Sequence, residues 1–152
     1  MAQQLSNNSP LAKLSDTGLD LAEPSQDIRG RKVVDRDGGE IGHVSALFVD
    51  EGERKVRMLE IRAGGLLGIG EQHFLLPVDA VTSVDKHEVR VTETHERIAH
   101  SPAYDPELIE YPDRSYWEPY YGYYGLSPYW GTGYVYPGVP FAEDENRRLV
   151  RP

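Results

Sequence analysis

Five histidines are the side chains of this sequence best suited to bind a metal or to transfer protons near neutral pH. They are His43, His73, His87, His95 and His100. No two of them are four residues apart, the spacing that places two imidazoles on one helix face. Cysteine is absent, which excludes a cysteine-based zinc site. The sequence therefore predicts no metal site and no cofactor, and we expect His43 and His73 at outward strand positions.

The acidic residues that stand close together lie where the sequence predicts turns or a chain end. They are Asp35 and Asp37, then Asp50, Glu51 and Glu53, and finally Glu143, Asp144 and Glu145. General acid–base catalysis needs a concave, partly desolvated site, which a turn tip does not provide. Aspartate is common at turns because its side chain accepts hydrogen bonds from nearby backbone. We interpret these carboxylates as solvated turn residues, and we predict that the chain is not an enzyme.

A glycine-rich stretch, GGLLGIG, occupies residues 64–70. Its spacing fits neither phosphate-binding glycine motif, and no helical pattern follows it. Two interpretations remain: a flexible connection between strands, or a loop whose apolar residues insert into a partner or a second subunit. On the second interpretation, Leu66, Leu67 and Ile69 are candidate protein-contact residues.

Six short extended segments, separated by turn signals, must position these residues. They lie near residues 31–36, 40–50, 55–63, 72–77, 79–84 and 88–93. The first two form a hairpin around Asp37-Gly38-Gly39, where glycine can adopt a positive φ. The third is expected to be half-buried, with Arg57 at its end. Asp79 is expected to cap a short helical turn over residues 80–83. This pattern predicts a small all-β barrel or sandwich.

The segments on either side of this core, which spans residues 27–94, have a different character. Residues 1–26 form a polar leader that we expect to be largely irregular, with a few leucines able to dock. Residues 95–152 contain all ten tyrosines and both tryptophans, together with many prolines and glycines, so we expect an irregular tail. Its candidate contact residues are Tyr116, Trp117, Tyr120, Tyr121, Tyr123, Tyr124 and Trp130. The tail either packs on the barrel or a dimer mate, self-associates as a disordered segment, or recognises another protein.

Charge and hydropathy narrow the range of partners. The 152 residues carry a formal net charge of −9, which disfavours binding to nucleic-acid phosphates. No run approaches the roughly 20 apolar residues of a transmembrane helix, and the N-terminus lacks a secretory signal pattern. We therefore expect a cytoplasmic protein without a transmembrane anchor.

Three motifs of the core resemble those of the PRC-barrel family, named from the cytoplasmic barrel of the photosynthetic reaction-centre H subunit. They are the opening GRKVVD, the DGGEIGHV turn and strand, and the FLLPVDAV element. The leader and the tyrosine-rich tail also resemble those of stand-alone bacterial PRC-barrel proteins. The resemblance implies a five- to six-stranded β-barrel that mediates protein contact, often as a dimer, without chemistry of its own. The ribosome maturation factor, another family setting, pairs its barrel with a second β domain, and we expect no such domain here.

These observations predict a non-enzymatic interaction or scaffold module that self-associates. A core this small is expected to leave an apolar face that a second copy covers. Two alternatives belong to other classes: a ribosome-associated or RNA-processing factor, and a peripheral membrane or photosynthetic-complex accessory protein whose tail lies at the lipid interface.

Overall fold

We describe the fold from a computed structural model, which covers residues 11–22, 24–64, 70–102, 104–105, 114–141 and 149–151. In these residues the strands are β1 (Ala12–Lys13), β2 (Asp20–Leu21), β3 (Lys32–Val34), β4 (Glu40–Asp50), β5 (Lys55–Gly64), β6 (Glu71–Pro77), β7 (Val81–Val84), β8 (Glu88–Val91) and β9 (Leu149–Val150). The α-helices are α1 (His95–Ala99) and α2 (Arg114–Tyr124), and 3₁₀ turns span Leu14–Asp16, Pro24–Gln26 and Val78–Ala80. Neither α-helix has the length and apolar character needed to cross a membrane.

The six strands predicted for the core are confirmed and belong to one sheet. Their order is β6-β5-β4-β3-β8-β7, and β1 pairs with β4 to complete seven strands. β3 and β8 are parallel, whereas the other pairs are antiparallel. The second predicted strand has the observed bounds, and the fourth begins one residue earlier than expected. The all-β prediction therefore holds.

The first hairpin turn forms as predicted, with Gly38 at a φ of 91°. Asp35 accepts hydrogen bonds from the backbone N–H groups of Asp37 (2.9 Å) and Gly39 (2.8 Å), as expected of a turn residue. It is not solvated, however, since only 6% of the residue is exposed. Its carboxylate also accepts from His95 N at 3.2 Å, so it ties the hairpin to the start of α1. These backbone donors, that of Gly39 first, lower the pKa of Asp35.

The sheet is buried on two sides, and each face has its own core. We call the side that carries Leu47, Leu59 and Leu76 the inner face. The outer face carries Phe48, Met58 and Leu75. β5 is buried continuously from residue 56 to residue 61, so the prediction of a half-buried strand is wrong. The reason is that the C-terminal tail covers the outer face, which the strand pattern alone could not show.

Two β-bulges redirect side chains along the β4–β5 ladder. Val44 and Ala46 pair with the consecutive residues Ile61 and Glu60, so Ser45 is the extra residue on β4. Phe48 and Val49 pair with Met58 and Val56, so Arg57 is the extra residue on β5. A bulge of this kind breaks the alternation of side chains between the two faces. Arg57 accordingly leaves the inner face on which simple parity places it, and it does not lie at the strand end as predicted.

The described part of the leader docks onto the sheet through short elements. β1 pairs with β4, and β2 pairs with β9 from the end of the tail. Four leucines of this segment are at most 6% exposed: Leu11, Leu14, Leu19 and Leu21. Three of them join the inner core beside Leu149, so both chain ends help to close that core. Apolar burial explains why a polar segment with few structural signals becomes ordered.

Gly42, in the DGGEIGHV motif, lies where the backbones of β4 and β5 approach each other closely. A Cβ atom at this position would lie 2.3 Å from the carbonyl oxygen of Arg62. Backbone cannot move aside as a flexible side chain can, so the position requires glycine. Steric exclusion of a Cβ atom therefore explains why the motif has glycine at this position.

We predict that Gly42→Ala lowers the free energy of unfolding by about 1–3 kcal/mol, because the added methyl group overpacks the β4–β5 ladder. Gly122→Ala is the matched control: its Cβ would meet nothing within 4 Å, and the residue lies in α2. There alanine should raise stability by about 0.5–1 kcal/mol through helix propensity. Urea denaturation followed by circular dichroism measures both values, and equal effects of the two substitutions would contradict this explanation.

Candidate functional site

The tail reaches the outer face of the sheet through helix α2, which the sequence did not lead us to expect. Trp117, Tyr120, Tyr121 and Tyr124 are its buried residues. Their spacing is i, i+3, i+4 and i+7, which places them on one helix face. Trp117 contacts Phe48 of β4, with ring centroids 5.3 Å apart. Burial of this aromatic face outweighs the helix-breaking tendency of Pro119, so the prediction of an irregular tail is wrong here.

Helix α2 ends at a glycine whose backbone conformation allows a C-terminal capping motif. Gly125 has a φ of 68°, and its N–H bonds to the carbonyl of Gly122 at 3.2 Å. The N–H of Leu126 bonds to the carbonyl of Tyr121 at 2.9 Å, which completes a Schellman motif. The chain then reverses direction and returns across the sheet. The glycines and prolines of this segment allow that sharp turn.

Most of the predicted contact residues are used within the chain. Trp117, Tyr120, Tyr121 and Tyr124 are between 0% and 6% exposed, whereas Tyr116, Tyr123 and Trp130 are half-buried. The first four therefore do not form a free contact surface, which corrects their assignment as partner-contact residues. Leu66, Leu67 and Ile69 lie outside the described residues. Of the alternatives for the tail, packing on its own barrel is the one that the structure shows.

Arg57 anchors the returning part of the tail. Its guanidinium carbon lies 4.4 Å from the ring centroid of Tyr129, 5.8 Å from that of Tyr134 and 5.4 Å from that of Tyr136. Only 3% of its side chain is exposed, and its terminal nitrogen pairs with Asp50 (3.8 Å) and Glu53. A buried charge needs such compensation, and the aromatic faces add a cation–π attraction. The bulge at Arg57 is what turns its side chain toward these rings.

Asp79 provides a second attachment for the same part of the tail. The Tyr134 hydroxyl donates to Asp79 Oδ2 at 2.8 Å. Burial raises the pKa of Asp79, although the Tyr134 hydrogen bond opposes the shift. The 3₁₀ turn begins after Pro77 and has no side-chain cap. The prediction that Asp79 caps a helical turn over residues 80–83 is therefore wrong, and its partner lies far along the chain.

An open cleft lies beside β6, between that strand and the chain segment that leaves α1. We call it the β6 cleft; it is lined by residues 71–74, 99, 101–102 and 104–105, and its volume is about 470 Å³. The lining includes the acidic residues Glu71 and Asp105, and no lysine or arginine among the described residues. Glu71 also pairs with Arg62 at 3.1 Å on the surface. The cleft is therefore acidic, with apolar and aromatic walls.

A group of polar side chains lies behind the wall of this cleft. Ser45 donates a hydrogen bond to Glu60 Oε1 at 2.6 Å, and His73 Nδ1 lies 3.8 Å from the same oxygen. Tyr104 is a neighbour of the same carboxylate. Burial first, and then the neighbouring Glu60, raise the pKa of the Tyr104 phenol, which therefore keeps its proton. No pattern in the sequence indicated this group, because its members come from four separate segments.

Ser45, Glu60 and His73 are the residue types of a catalytic triad, but their spatial order differs from that of a triad. A serine nucleophile needs the imidazole between its hydroxyl and the acid, so that the base can take the proton. Here Glu60 lies between Ser45 and His73. Over the described residues, no three His, Cys, Asp or Glu side chains form a group that could hold a metal ion. The group is therefore a buried polar cluster that lacks the order of a catalytic triad.

Comparison with known proteins gives one informative result. The profile of the PRC-barrel domain matches residues 22–98. No curated protein matches the chain. The match spans half of the chain, includes β3 to β8, and contains the three motifs noted in the sequence. The chain belongs to the PRC-barrel domain family.

Proposed function

We propose that the chain is a non-enzymatic protein-interaction module whose partner binds in the β6 cleft. The observation that carries this proposal is the cleft itself: an open volume of about 470 Å³ beside a strand at one end of the sheet order. A strand edge can align an extended polypeptide, and side-chain pockets next to it add specificity. The tail supports this use because it covers the outer face and so holds the strand on a rigid core.

Charge indicates which class of protein would bind. The chain carries a net charge of −9, and the cleft lining contains Glu71 and Asp105. Complementary charge raises association rates and disfavours wrong partners. A partner segment with basic residues therefore suits this cleft, whereas a phosphate backbone would be repelled.

Self-association is the second part of the proposal. The sequence predicted an apolar face that a second copy covers, and the tail of the same chain covers that face instead. A dimer must therefore use other residues. Of the predicted contact residues, Leu66, Leu67 and Ile69 and the half-buried Tyr116, Tyr123 and Trp130 remain candidates, since the fully buried tail residues are occupied within the chain.

A partner captured by the full-length chain should be lost when the cleft is blocked. Gln72 is exposed in the cleft lining, and Gln72→Arg adds bulk and positive charge there. Ser83→Arg is the matched control, because Ser83 is exposed on β7 at the opposite end of the sheet order. We expect wild type and Ser83→Arg to capture the same protein, and Gln72→Arg to bind the purified partner roughly tenfold more weakly or worse, a loss of about 1.4 kcal/mol or more.

Isothermal titration calorimetry with the purified partner measures that difference. Equal affinity of all three chains for the partner would show that the cleft is not the binding site.

Light scattering coupled to size-exclusion chromatography tests self-association. At tens of micromolar we expect a mass above that of one chain for wild type. The triple substitution Leu66→Ser, Leu67→Ser and Ile69→Ser should return the mass to one chain, because it removes the apolar side chains of the loop. A wild-type monomer at this concentration would refute self-association and leave the cleft proposal intact.

A further inference from the structure

The last described residues of the chain join the fold as a short extended segment. β9 pairs with β2 in a two-stranded sheet of its own, separate from the seven-stranded sheet. The register places Leu149 opposite Leu21 and Val150 opposite Asp20. Among the described residues, β9 therefore adds to the edge of β2 in the way that a bound peptide adds to a strand. We call the surface beside β2 that holds residues 149–151 the β2 groove.

The three residues in the β2 groove have different environments. Leu149 is 1% exposed and belongs to the inner core, in the same cluster as Leu21. Val150 is half-buried and Arg151 is exposed. Arg151 extends over Gly18, since a Cβ atom at Gly18 would lie 2.8 Å from the Arg151 Nη1 atom. The groove therefore suits an extended segment with an aliphatic residue in a pocket and a basic residue two positions later.

The receiving side of the β2 groove is held by contacts that do not involve β9. The Thr17 hydroxyl donates to the carbonyl of Leu14 at 2.7 Å and accepts from the Leu19 N–H at 3.1 Å. Leu14 and Leu19 are both buried in the inner core. β1, which precedes this turn, pairs with β4 of the large sheet. We therefore expect the leader to keep its position when β9 leaves the groove.

β9 itself is held by few contacts. Two residue pairs join it to β2, and a two-stranded ribbon is only marginally stable by itself. One buried leucine supplies most of its apolar contact, because Val150 is half-buried and Arg151 is exposed. Segments with so little burial open more easily than the core of a domain. Every copy of the chain carries the same groove and the same segment, so a second copy can supply identical contacts.

We propose that two copies of the chain exchange β9, so that residues 149–151 of each copy occupy the β2 groove of the other. This inference rests on the proposed self-association, since it names a contact that holds the dimer in addition to the candidate contact residues given above. Reciprocal exchange forms the contact twice, and the second forms within the complex at a high effective concentration. Exchange of an identical element keeps every contact of the monomer, and Leu149 remains buried.

Isotope-filtered nuclear Overhauser effects measure the exchange directly in the full-length chain. Equal amounts of isotope-labelled and unlabelled chain are mixed and equilibrated, and the dimer fraction is recorded. We expect effects between the Leu149 methyl protons of one copy and the Leu21 methyl protons of the other, because these residues are paired in register. A dimer fraction that shows this contact only within one copy would overturn the proposal.

A capped peptide tests whether the β2 groove binds a segment that is not covalently attached. The full-length variant Leu149→Ser leaves the pocket unfilled, and acetyl-Leu-Val-Arg-amide supplies residues 149–151 as a separate molecule. The comparator acetyl-Ser-Val-Arg-amide lacks the leucine side chain. We expect the leucine peptide to shift the amide signals of Gly18, Leu19 and Leu21, and to bind roughly tenfold more tightly than the comparator.

Equal shifts with both peptides would overturn recognition of the leucine. An absence of shifts with either peptide, in a variant with a native amide spectrum, would overturn the groove. The mixed-label measurement needs no variant, so it decides the proposal even if Leu149→Ser fails to fold.

Molecular masses separate strand exchange from self-association as such. At tens of micromolar we expect Leu149→Ser to return the mass to that of one chain. Val135→Ser is the matched control, because Val135 is 81% exposed, and it should leave the wild-type mass unchanged. A dimer that persists in Leu149→Ser would overturn strand exchange and leave self-association standing. A wild-type monomer at this concentration would refute both.

Discussion

Burial of the sheet's outer face under the aromatic tail is the constraint on which the rest of the structure depends. β4, β5 and β6 present Phe48, Met58 and Leu75 on that face, and water contact with them would cost free energy. Trp117 is fully buried against this surface. Removing a buried tryptophan typically costs about 3–5 kcal/mol, a large part of the 5–15 kcal/mol that stabilises a domain. The tail is therefore part of the folded core.

Tyrosine suits this cover because its ring buries apolar area while its hydroxyl can form a hydrogen bond at the edge. Tyr136 donates to the carbonyl of Val56 at 2.9 Å, and Tyr123 donates to the carbonyl of Arg97 at 2.6 Å. Arg57 requires such a cover as well, since its guanidinium is enclosed by tyrosine rings on its faces and by acidic residues at its edge. The bulge in β5 turns Arg57 toward the tail, and the tyrosine rings of the tail enclose its guanidinium. This contact therefore depends on both features.

The sequence predicted the sheet well because local signals determine it. Alternation of apolar residues and Asp/Gly turns located six strands, and the turn at Gly38 followed from its need for a positive φ. Helix α2 was missed although Trp117, Tyr120, Tyr121 and Tyr124 have helical spacing, because Pro119 and the many glycines suggested an irregular chain. Arg57 was misplaced because a bulge shifts register without a sequence marker. The polar group around Glu60 depends on pairing of residues 45, 60, 73 and 104, which only the fold brings together.

This arrangement moves the expected contact surface from the tail to the β6 cleft, and that shift depends on the tail being an internal cover. Nuclear Overhauser effects between the Trp117 indole protons and the side chains of Phe48 and Met58, in the full-length monomer fraction, measure that contact directly. We expect strong intramolecular effects, because the Trp117 and Phe48 ring centroids are 5.3 Å apart. Their absence, with Trp117 exposed to solvent, would contradict the account and return the aromatic residues to the role of an external contact surface.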